Sequence, residues 1–493
     1  MSILSGKVLE VLSRDQIYEI HQATLEVLER TGVVIMEDEA LRILEEAGAV
    51  VDYKKQHAKI PRHLVEEAIK KTPSGFTLYG SNGKYRLELK GFNTYIGQPF
   101  GLFIVDLDGK RRYPTPKDAA DLYRLTDAME NLDLAGSVSV PEWESTDRFV
   151  AAVENSEKVP DVNPQADQAE ELITLGSVLR GSFEELMKKP ITWLLVKTKD
   201  LRKKPSWWYH INPFSPLAIK KTEARGLLIW ARCGLPIHIG PEVHAGTTGP
   251  ATLAGTLVQQ NAENLSGVTL AQLAADPKHR PPILYASISG ITDMRTGSAV
   301  LGTAETALIQ VASAQIARYY NMPCRGIGGI TDSKTSDIQA GYESAVTLLM
   351  AALARINYIN YSAGSVEGIL TVSFEKVVLD NDLIGMVKRI LRGITVDEET
   401  LAVDVINDVG PRGHYLAHPH TRKHHRKEFY YPILFNRETY EAWVRSGAKD
   451  IREAARERAR KILKEHQPEP LDKDLKRELE NKAKEIRKKR MRE

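Results

Sequence analysis

The sequence predicts an α/β fold in which strand–helix units close into a (β/α)₈ TIM barrel, with an N-terminal helical and β cap and a C-terminal helical extension. From about residue 94 onward, short apolar runs of strand length alternate with segments of helical periodicity. Each apolar run ends in glycine or polar residues, as strands do where they enter loops. About eight such units over roughly 300 residues favour a closed barrel over an open sheet.

Seven candidate strands can be placed directly, and the eighth has two possible positions. The seven lie at 94–100, 132–140, 208–214, 236–242, 283–289, 324–330 and 357–364. The eighth is either 158–164 or 191–199. We therefore divide the chain into a cap (1–93), a barrel (94–446) and a charged helical tail (447–493). Charges of alternating sign at helical spacing indicate that the tail presents a mostly solvated face.

The composition predicts an ordinary globular protein of the cytoplasm. Hydrophobic residues make up 42% and charged residues 27% of the chain. A net charge of +2 argues against a dedicated nucleic-acid binder. Two cysteines cannot build a disulfide framework. Because no apolar run reaches the roughly 20 residues needed to cross a bilayer, we expect no membrane partner.

Polar residues follow the predicted strands at their carboxyl ends, where the active site of such a barrel lies. They include Gln98, His244, Arg295, Asp332, Gln339, Asn360, Tyr361 and Glu367. Some have a purely structural explanation. Arg295 could pair with Asp293 within one loop, and Gln339 could complete a capping box with Ser336.

The stretch 400–446 is rich in histidine and aromatic residues. Its histidines are spaced as zinc ligands can be, but no cysteine lies nearby and Glu428 is the one close carboxylate. We therefore expect no metal there. The sequence also lacks GxGxxG after the first strand, GxxxxGK[ST] and GxSxG. Their absence weighs against nicotinamide, nucleoside triphosphate and serine-hydrolase chemistry.

Several motifs, in this order, resemble the trimethylamine methyltransferase superfamily. They are GTTGPATLAGTL at 246–257 followed by QNAE at 260–263, DMRTG at 293–297, TDSK at 331–334, EKVVLD at 375–380 and GHYL at 413–416. The resemblance extends from the helix around Ile20 to about Trp443. It implies a barrel enzyme that demethylates a methylated amine and passes the methyl group to the reduced cobalt of a corrinoid protein.

The sequence uses the standard twenty amino acids, whereas the founding members of this superfamily carry pyrrolysine and act on trimethylamine. It therefore resembles the branch without pyrrolysine, whose known substrates are quaternary amines such as glycine betaine, proline betaine and carnitine. The resemblance implies that a partner protein carries the cobalamin and that this chain binds no cofactor tightly. We expect methyl transfer of the kind used in methanogenesis and acetogenesis, with glycine betaine as the first candidate substrate, and a homo-oligomer.

A quaternary ammonium carries its charge already and departs as a neutral amine, so cobalt(I) can displace it directly. The protein must hold the cation, align the methyl group and exclude water. A cage of Tyr95, Tyr285 and Tyr361 could hold the cation, with Glu343 or Asp332, the two candidate catalytic residues, as counter-charge. His244, Arg295 and His414 could bind a betaine carboxylate, and Gln98, Gln339, Asn360 and Glu367 would complete the site. Asn360 stands where the resemblance leads us to expect histidine in many relatives, which leaves the particular betaine open.

Two other functions fit the same residues. Lys334, with Asp332 as its acid, could make the chain a barrel lyase or hydrolase that forms a Schiff base. A betaine-binding protein without catalytic activity would keep the pocket but not the surface for a corrinoid protein.

Overall fold

The structure is a computed structural model. It describes residues 8–80, 85–141 without 98 and 137, 151, 155, 159–160, 202–205 and 208–490 without 469, 471 and 472. Strands and helices are numbered separately along the chain.

The chain begins with short helices and strands. They are α1 (Arg14–Glu26), a π-helical turn (Val27–Thr31), β1 (Val33–Ile35), α2 (Asp38–Glu46), β2 (Val50–Asp52), β3 (His57–Lys59), α3 (Arg62–Lys71), β4 (Phe76–Tyr79) and β5 (Arg86–Leu89). Ser13 and Gln16 form a reciprocal capping box at the start of α1. The first helical segment ends at Gly32, whose φ is +75° and where a Cβ would lie 2.4 Å from the Ala58 carbonyl oxygen. Glycine is therefore required at that turn.

The body consists of short strands alternating with longer helices. Its strands are β6 (Tyr95–Ile96), β7 (Phe103–Val105), β8 (Arg111–Arg112), β9 (Leu134–Ala135), β10 (Val159–Pro160), β11 (Tyr209–Ile211), β12 (Ala218–Ile219), β13 (Ile237–Ile239), β14 (His244–Ala245), β15 (Ile283–Ala286), β16 (Gly290–Asp293), β17 (Ser298–Val300), β18 (Cys324–Ile327), β19 (Tyr358–Asn360), β20 (Ser365–Val366) and β21 (Thr371–Ser373). Its helices are α4 (Pro116–Ala128), α5 (Lys221–Cys233), α6 (Leu253–Ala274), α7 (Ala304–Tyr319), α8 (Ile338–Leu353) and α9 (Phe374–Arg392).

Parallel strands form the centre of the body. One sheet has the order β11–β13–β15–β18–β19–β6, and every pair in it is parallel. The Asp133 N–H donates to the Ile96 carbonyl at 2.8 Å, which places β9 beside β6, and β9 pairs in parallel with β10. The predicted alternation of helices with parallel strands is confirmed. Within the described residues, no pairing joins β10 to β11, so these strands do not show a closed cylinder.

The position of β10 bears on the choice between the two candidate eighth strands. Val159 and Pro160 lie within 158–164 and pair with β9, which favours that segment as the eighth strand. The alternative at 191–199 lies outside the described residues.

Along each central strand, successive side chains point in turn towards the surrounding helices and towards the interior. Ile237 and Ile239 pack in the main hydrophobic core. Leu284 and Tyr358 face the interior and pack against leucines of the β4–β5 hairpin, namely Leu78, Leu87 and Leu89. The hairpin thus covers the interior at the amino-terminal ends of the strands and leaves the carboxyl ends for the loops.

The C-terminal region contains α10 (Glu398–Leu401), α11 (Val403–Val409), α12 (Pro419–Glu428), α13 (Tyr440–Arg445), α14 (Ile451–Glu465) and α15 (Lys473–Arg490). Helix α14 packs along α9 and α4. It buries Ala455 and Ala459 completely, and its Arg456 pairs with Glu375 of α9. This part of the predicted tail is therefore a packed element and not only a solvated face. In the described part of the chain, no helix is both long and apolar enough to cross a membrane.

A buried ion pair ties α9 to the loops after the central strands. Lys376 Nζ lies 2.7 Å from Asp380 Oδ2 and 2.9 Å from Ser344 Oγ of α8. The Gly364 N–H donates to the same Asp380 oxygen at 2.7 Å. Burial raises the pKa of the Asp380 carboxyl, although the Lys376 ammonium opposes that shift. The Lys376 and Asp380 side chains are 3% and 6% exposed, so water cannot solvate either charge if its partner is removed.

We expect Lys376→Met to lower the free energy of unfolding by about 3–5 kcal/mol, because it leaves the Asp380 carboxylate buried without a counter-charge. The double variant Lys376→Met/Asp380→Leu should recover most of that loss, since both charges are then gone. Urea midpoints and slopes of the two variants and the wild type measure the difference. If Lys376→Met/Asp380→Leu is no more stable than Lys376→Met, the loss does not come from an unpaired Asp380 charge, and the intact ion pair itself stabilises the fold.

Candidate active site

Polar side chains meet inside the central strands, in a layer of otherwise apolar residues. His210 of β11 and His238 of β13 stack with their ring centroids 3.9 Å apart. Arg325 of β18 places Nη1 2.9 Å from His238 Nε2. Asn360 of β19 accepts a hydrogen bond from the Tyr358 hydroxyl at 2.9 Å. We call His210, His238, Arg325 and Asn360 the polar layer.

Burial keeps the imidazoles of the polar layer neutral. It lowers the pKa of His210 to about 3, and the neighbouring Arg325 guanidinium adds to the shift. Burial, His210 and Arg325 together hold the pKa of His238 well below its ordinary value. Because Arg325 Nη1 can only donate, His238 Nε2 accepts and the ring proton lies on Nδ1. The polar layer therefore carries one positive charge, on Arg325.

The polar layer contains buried hydrogen-bond donors without acceptors. Within the described residues, His238 Nδ1, Arg325 Nε and Asn360 Nδ2 have no hydrogen-bond partner, and neither has Trp208 Nε1. Arg325 is 1% exposed, and no carboxylate of the described chain pairs with it. A buried charge without a partner is costly. Unfilled donors together with one positive charge make this layer complementary to an anion.

An apolar layer lies on the side of the polar layer nearer the carboxyl ends of the strands. It consists of Ile288, Leu301, Ile327, Ile330 and Tyr361, with Phe100 and Ile369 packed against them. The rings of Phe100 and Tyr361 are 5.8 Å apart, and the Arg325 guanidinium carbon lies 5.3 Å from the centre of the Tyr361 ring. Tyr361 therefore joins the apolar layer to the polar one.

Gly240, which follows β13, keeps the space above His238 open. A Cβ at Gly240 would lie 2.4 Å from His238 Cε1 and 3.3 Å from the Ala286 methyl group. A larger residue here would displace the imidazole.

The structure does not bring together the three tyrosines that the sequence analysis expected to form a cage. Tyr95 lies at the amino-terminal end of β6, where its hydroxyl accepts from the Glu88 N–H of the covering hairpin at 3.0 Å. Tyr285 points into the helix layer, is 0% exposed and donates to Asn261 of α6. Burial there raises the pKa of the Tyr285 hydroxyl far above its ordinary value. Only Tyr361 lies in the apolar layer.

The carboxylates expected to be catalytic instead hold loops together. Asp332 accepts from the backbone N–H groups of Leu301 and Gly302, at 3.0 and 2.8 Å. Glu343 accepts from the Thr331 hydroxyl at 2.6 Å and from the Asp332 N–H at 2.8 Å. Burial raises the pKa of Asp332, although its backbone partners oppose the shift. Both carboxylates therefore fix the positions of neighbouring loop segments.

Two further expected substrate ligands have the same structural role. Gln339 donates to Glu343 Oε1 at 2.9 Å. Glu367 accepts from Arg111 at 2.9 Å and from the Thr371 hydroxyl at 2.7 Å.

The residues expected to bind a carboxylate are also separated. Arg295 lies in the β16–β17 turn with its side chain 88% exposed and bonded to Asp293, as the loop explanation proposed. His414 is exposed in the segment between α11 and α12. His244 begins β14, and its Nε2 lies 3.3 Å from Glu242 Oε1. Gln98 is outside the described residues.

The Schiff-base alternative lacks the burial that it needs. Lys334 is exposed, and its ammonium donates to the backbone oxygen of Asp332 at 2.7 Å. A lysine nucleophile requires desolvation or a neighbouring cation to become reactive.

No metal cluster is formed by the described residues. Among the C-terminal histidines, His418 faces Asp408 at 3.2 Å and His424 faces Glu399 at 3.1 Å.

The sequence analysis missed His210, His238 and Arg325. All three lie within strands, whereas the residues predicted from the sequence lie mostly in the loops that follow the strands. Parallel strands covered on both faces are nearly continuous apolar runs. Charged or imidazole side chains inside such runs were therefore the signal that could have found the polar layer.

Comparison with known proteins identifies the family. Residues 3–491 match the family described as Trimethylamine methyltransferase (MTTB). The chain belongs to this family. It is 34% identical to a glycine betaine methyltransferase of Desulfitobacterium hafniense strain Y51, over 94% of each chain. It is 35% identical to the trimethylamine methyltransferase MttB of Desulfitobacterium hafniense DCB-2, over 95% of this chain and 92% of that one.

Solved structures support the fold. The monomethylamine methyltransferase MtmB of Methanosarcina barkeri superposes with a TM-score of 0.52 at 10% identity, covering 92% of this chain and 88% of that one. Membership of the MTTB family makes this chain one of a family of methyltransferases, and the likeness to MtmB shows that the fold is shared across most of its length.

The neutral state of His210 predicts how stability depends on pH. In the folded chain its pKa is about 3, whereas the unfolded residue binds a proton below about 6.5. As pH falls from 7 to 5, the unfolded state gains a proton that the folded state does not, so stability is lost. One such residue accounts for a loss of about 2 kcal/mol by pH 5. His210→Gln should therefore lose about 2 kcal/mol less than the wild type between pH 7 and 5, measured by urea unfolding at each pH.

His63→Gln is the matched control, because His63 is exposed on α3. It should follow the wild-type pH dependence. Identical pH slopes for His210→Gln and the wild type would mean that His210 is protonated in the folded chain, contrary to the neutral pair described above.

Proposed function

We propose that this chain transfers a methyl group from a betaine, a quaternary amine that carries a carboxylate, to the cobalt(I) of a separate corrinoid protein. Glycine betaine is the first candidate, with proline betaine and carnitine as variants of the same class. We also propose that the parallel strands close into a (β/α)₈ barrel around the substrate. The main support for this substrate class is the Arg325 guanidinium, which is buried and has no carboxylate partner among the described residues.

A betaine carboxylate supplies what the polar layer lacks. It brings one negative charge next to Arg325 and acceptors for donors such as Asn360 Nδ2. Charge-assisted hydrogen bonds of this kind are about twice as strong as neutral ones. Neutral His210 and His238 add no second positive charge. The charge of the layer therefore matches a single carboxylate.

The carboxylate position fixes the orientation of the substrate. With its carboxylate in the polar layer, the quaternary ammonium lies in the apolar layer, beside Tyr361 and the isoleucines at 288, 327 and 330. The methyl groups then face the carboxyl ends of the strands. The Tyr361 ring can face the cation directly, while the aliphatic side chains exclude water.

The chemistry requires little from this chain beyond position. The reduced cobalt of the partner's corrinoid supplies the electron pair that accepts the methyl group. The electrons of the broken C–N bond stay on nitrogen, and the amine leaves neutral, so no proton has to be delivered. The absence of a free acid in the polar and apolar layers described above is consistent with this reaction. Holding the methyl group in line with the acceptor is worth several kcal/mol of barrier.

A surface for the corrinoid protein surrounds the same opening. Met294 and Ile338 are each 75% exposed on segments that follow the strands, and Leu370 is 45% exposed between β20 and β21. In this proposal these three side chains contact the corrinoid protein. We propose that the corrinoid stays bound to that partner and that this chain binds no cofactor tightly. The reaction takes place in the cytoplasm and involves neither nucleic acid nor a membrane.

Trimethylamine is the second candidate, because one relative is a trimethylamine methyltransferase at 35% identity. Arg325 argues against it. Trimethylamine has no carboxylate, so the guanidinium would stay unpaired. A protonated amine would place a second cation near it. The chain also lacks pyrrolysine.

The test combines substrates with a variant. We expect the purified chain, given cob(I)alamin as acceptor, to form methylcobalamin from glycine betaine or another betaine and to act far more slowly on trimethylamine. Arg325→Gln should raise KM for the betaine by a factor of about 30 or more, since losing a buried charge partner costs at least 2 kcal/mol. The absorbance change of cob(I)alamin gives the rates.

Choline, which has the trimethylammonium group without a carboxylate, serves as the matched substrate control, and its slower reaction should not depend on Arg325. Arg318→Gln is the control variant, because Arg318 is partly buried on α7, outside the strands. Faster turnover of trimethylamine than of every betaine would refute the substrate. Equal betaine KM values for Arg325→Gln and the wild type would refute the anchor.

Tyr361 should contribute to cation affinity and not only to packing. A cation–π contact is worth about 0.5–2 kcal/mol, so Tyr361→Leu should weaken betaine binding by up to about thirtyfold. Tyr361→Phe keeps the ring and should stay near the wild type. Tyr285→Leu is the matched control: it should lower the melting temperature without a specific loss of affinity, because Tyr285 lies in the helix layer. If Tyr361→Leu loses betaine affinity only in proportion to its loss of melting temperature, Tyr361 has a packing role and no contact with the cation.

A further inference from the structure

A cleft lies at the amino-terminal ends of the central strands, outside the polar and apolar layers. It has a volume of about 470 Å³, a size typical of sites for small molecules. Thr94 and Tyr95 line it where β6 begins, and Arg355 lines it just before β19. The end of α9, up to Gly393, forms another wall. None of these residues belongs to the site proposed for the methylated amine.

The walls of this cleft, which we call the basic cleft, carry five cationic side chains. They belong to Arg355, Lys388, Arg389, Arg392 and Lys427. Among the described residues that line the cleft, Glu428 alone is acidic. Over the whole chain, positive charges exceed negative ones by only 2. The positive charge of the basic cleft is therefore a local feature.

Two of the five cations are already paired. Lys388 Nζ lies 2.8 Å from Asp133 Oδ1, and Arg389 Nη2 lies 3.1 Å from Glu428 Oε2. Within the described residues, no carboxylate forms an ion pair with the other three lining cations, namely Arg355, Arg392 and Lys427. Like charges around one small cavity repel one another, so an anion placed between them is favoured.

Arg355 is the most buried of the three unpaired cations, at 6% exposed. Its Nη2 donates to the Leu391 carbonyl oxygen at 3.2 Å, which is the one hydrogen bond of the guanidinium within the described chain. Burial lowers the pKa of this guanidinium, and no carboxylate opposes the shift. A guanidinium has five N–H donors, so Arg355 keeps donors for a ligand in the cleft.

The backbone at Arg355 favours a different residue. The Arg355 N–H closes the last turn of α8 by donating to the Ala352 carbonyl at 3.0 Å, and the φ of Arg355 is +56°. Glycine or asparagine is usual at such a left-handed helix end. Gly234 and Asn321 occupy the corresponding positions after α5 and α7. Because arginine is unfavourable in this conformation, the fold tolerates strain to place a guanidinium at the cleft.

Structural roles explain these cations only in part. The bond from Arg355 to Leu391 joins the ends of α8 and α9, and Arg392 complements the dipole at the end of α9. Neither role requires Lys427, which comes from α12, to line the same cavity. Three separate helices thus bring unpaired cations to one cleft.

We propose that the basic cleft binds a phosphate-bearing anion. A phosphate group carries up to two negative charges at neutral pH, and guanidinium groups bind it through paired hydrogen bonds. A single carboxylate would neutralise only one of the three unpaired cations. Phe92, which is 52% exposed, also lines the cleft and offers a ring face to an organic phosphate. This proposal does not depend on the substrate proposed above.

The experiment is calorimetric titration of the full chain with pyrophosphate and, separately, with ADP. Pyrophosphate presents phosphate groups alone, whereas ADP adds an aromatic ring that Phe92 can contact. We expect saturable binding of pyrophosphate. If ADP binds more tightly and Phe92→Ala removes the difference, the cleft takes an organic phosphate; if it does not bind more tightly, the phosphate groups alone are recognised. Both results support the proposal, and no binding of either probe overturns it.

Arg355→Gly is the decisive variant, because glycine adopts a φ of +56° without strain. It should stay close to the wild-type melting temperature and weaken pyrophosphate binding by about tenfold or more, since a hydrogen bond between charged groups is lost. Wild-type affinity in this variant overturns the proposal.

Arg412→Gly is the matched control. Arg412 is exposed, has a φ of +69° and lies outside the cleft. The substitution removes the same charge from the same backbone conformation, so pyrophosphate affinity should not change. An equal loss of affinity in Arg412→Gly and Arg355→Gly overturns the proposal, because net charge alone would then attract the anion.

Two further variants test the location. Arg392→Gln/Lys427→Gln should also weaken pyrophosphate binding by about tenfold or more, and it decides the matter if Arg355→Gly does not fold: unchanged affinity in this double variant overturns the proposal. Arg325→Gln should bind pyrophosphate as the wild type does. A loss of affinity in Arg325→Gln would place the anion in the polar layer and overturn the basic cleft as its site.

Discussion

The Arg325 guanidinium lies inside the central strands, almost without contact with solvent, and its nearest partner is a neutral imidazole. An unpaired charge in such a place costs several kcal/mol of stability. Much of the surrounding layer follows from it. It helps to keep the neighbouring histidines uncharged. Among the described residues, other donors of the layer, such as Asn360 Nδ2, have no acceptor either. A ligand that brings one carboxylate removes this cost, so binding and stabilisation of the layer coincide.

In the proposed complex, the polar and apolar layers separate the two ends of a zwitterion. A carboxylate needs charged donors and tolerates burial, whereas a quaternary ammonium has no N–H to donate and is satisfied by ring faces and dispersion contacts. The polar layer therefore lies deeper and the apolar layer nearer the opening, where a methyl acceptor can approach. The reverse orientation would place the trimethylammonium group against the Arg325 guanidinium and turn the methyl groups away from the opening.

The periodicity of the sequence predicted the alternating helices and strands correctly, because apolar runs of fixed length mark them. It could not decide which face a side chain takes. Tyr285 and Arg325 both lie in buried parallel strands, and a shift of one residue exchanges the interior for the helix layer. Asp332 and Glu343 looked catalytic because they follow a strand. Their real partners, backbone N–H groups of Leu301, Gly302 and Asp332, belong to loops that meet only in the folded chain.

The opposite ends of the body have opposite requirements, and this explains the arrangement of its apolar surface. In the proposed reaction, the opening at the carboxyl ends binds a partner, releases it and admits a new substrate. The exposed apolar residues there, such as Met294 and Ile338, are scattered, which suits a partner that has to dissociate after each turnover. At the amino-terminal ends, the leucines of the β4–β5 hairpin pack against Leu284 and Tyr358, so the chain itself covers the interior on that side. Stable packing and exchange are then served at opposite ends of the same strands.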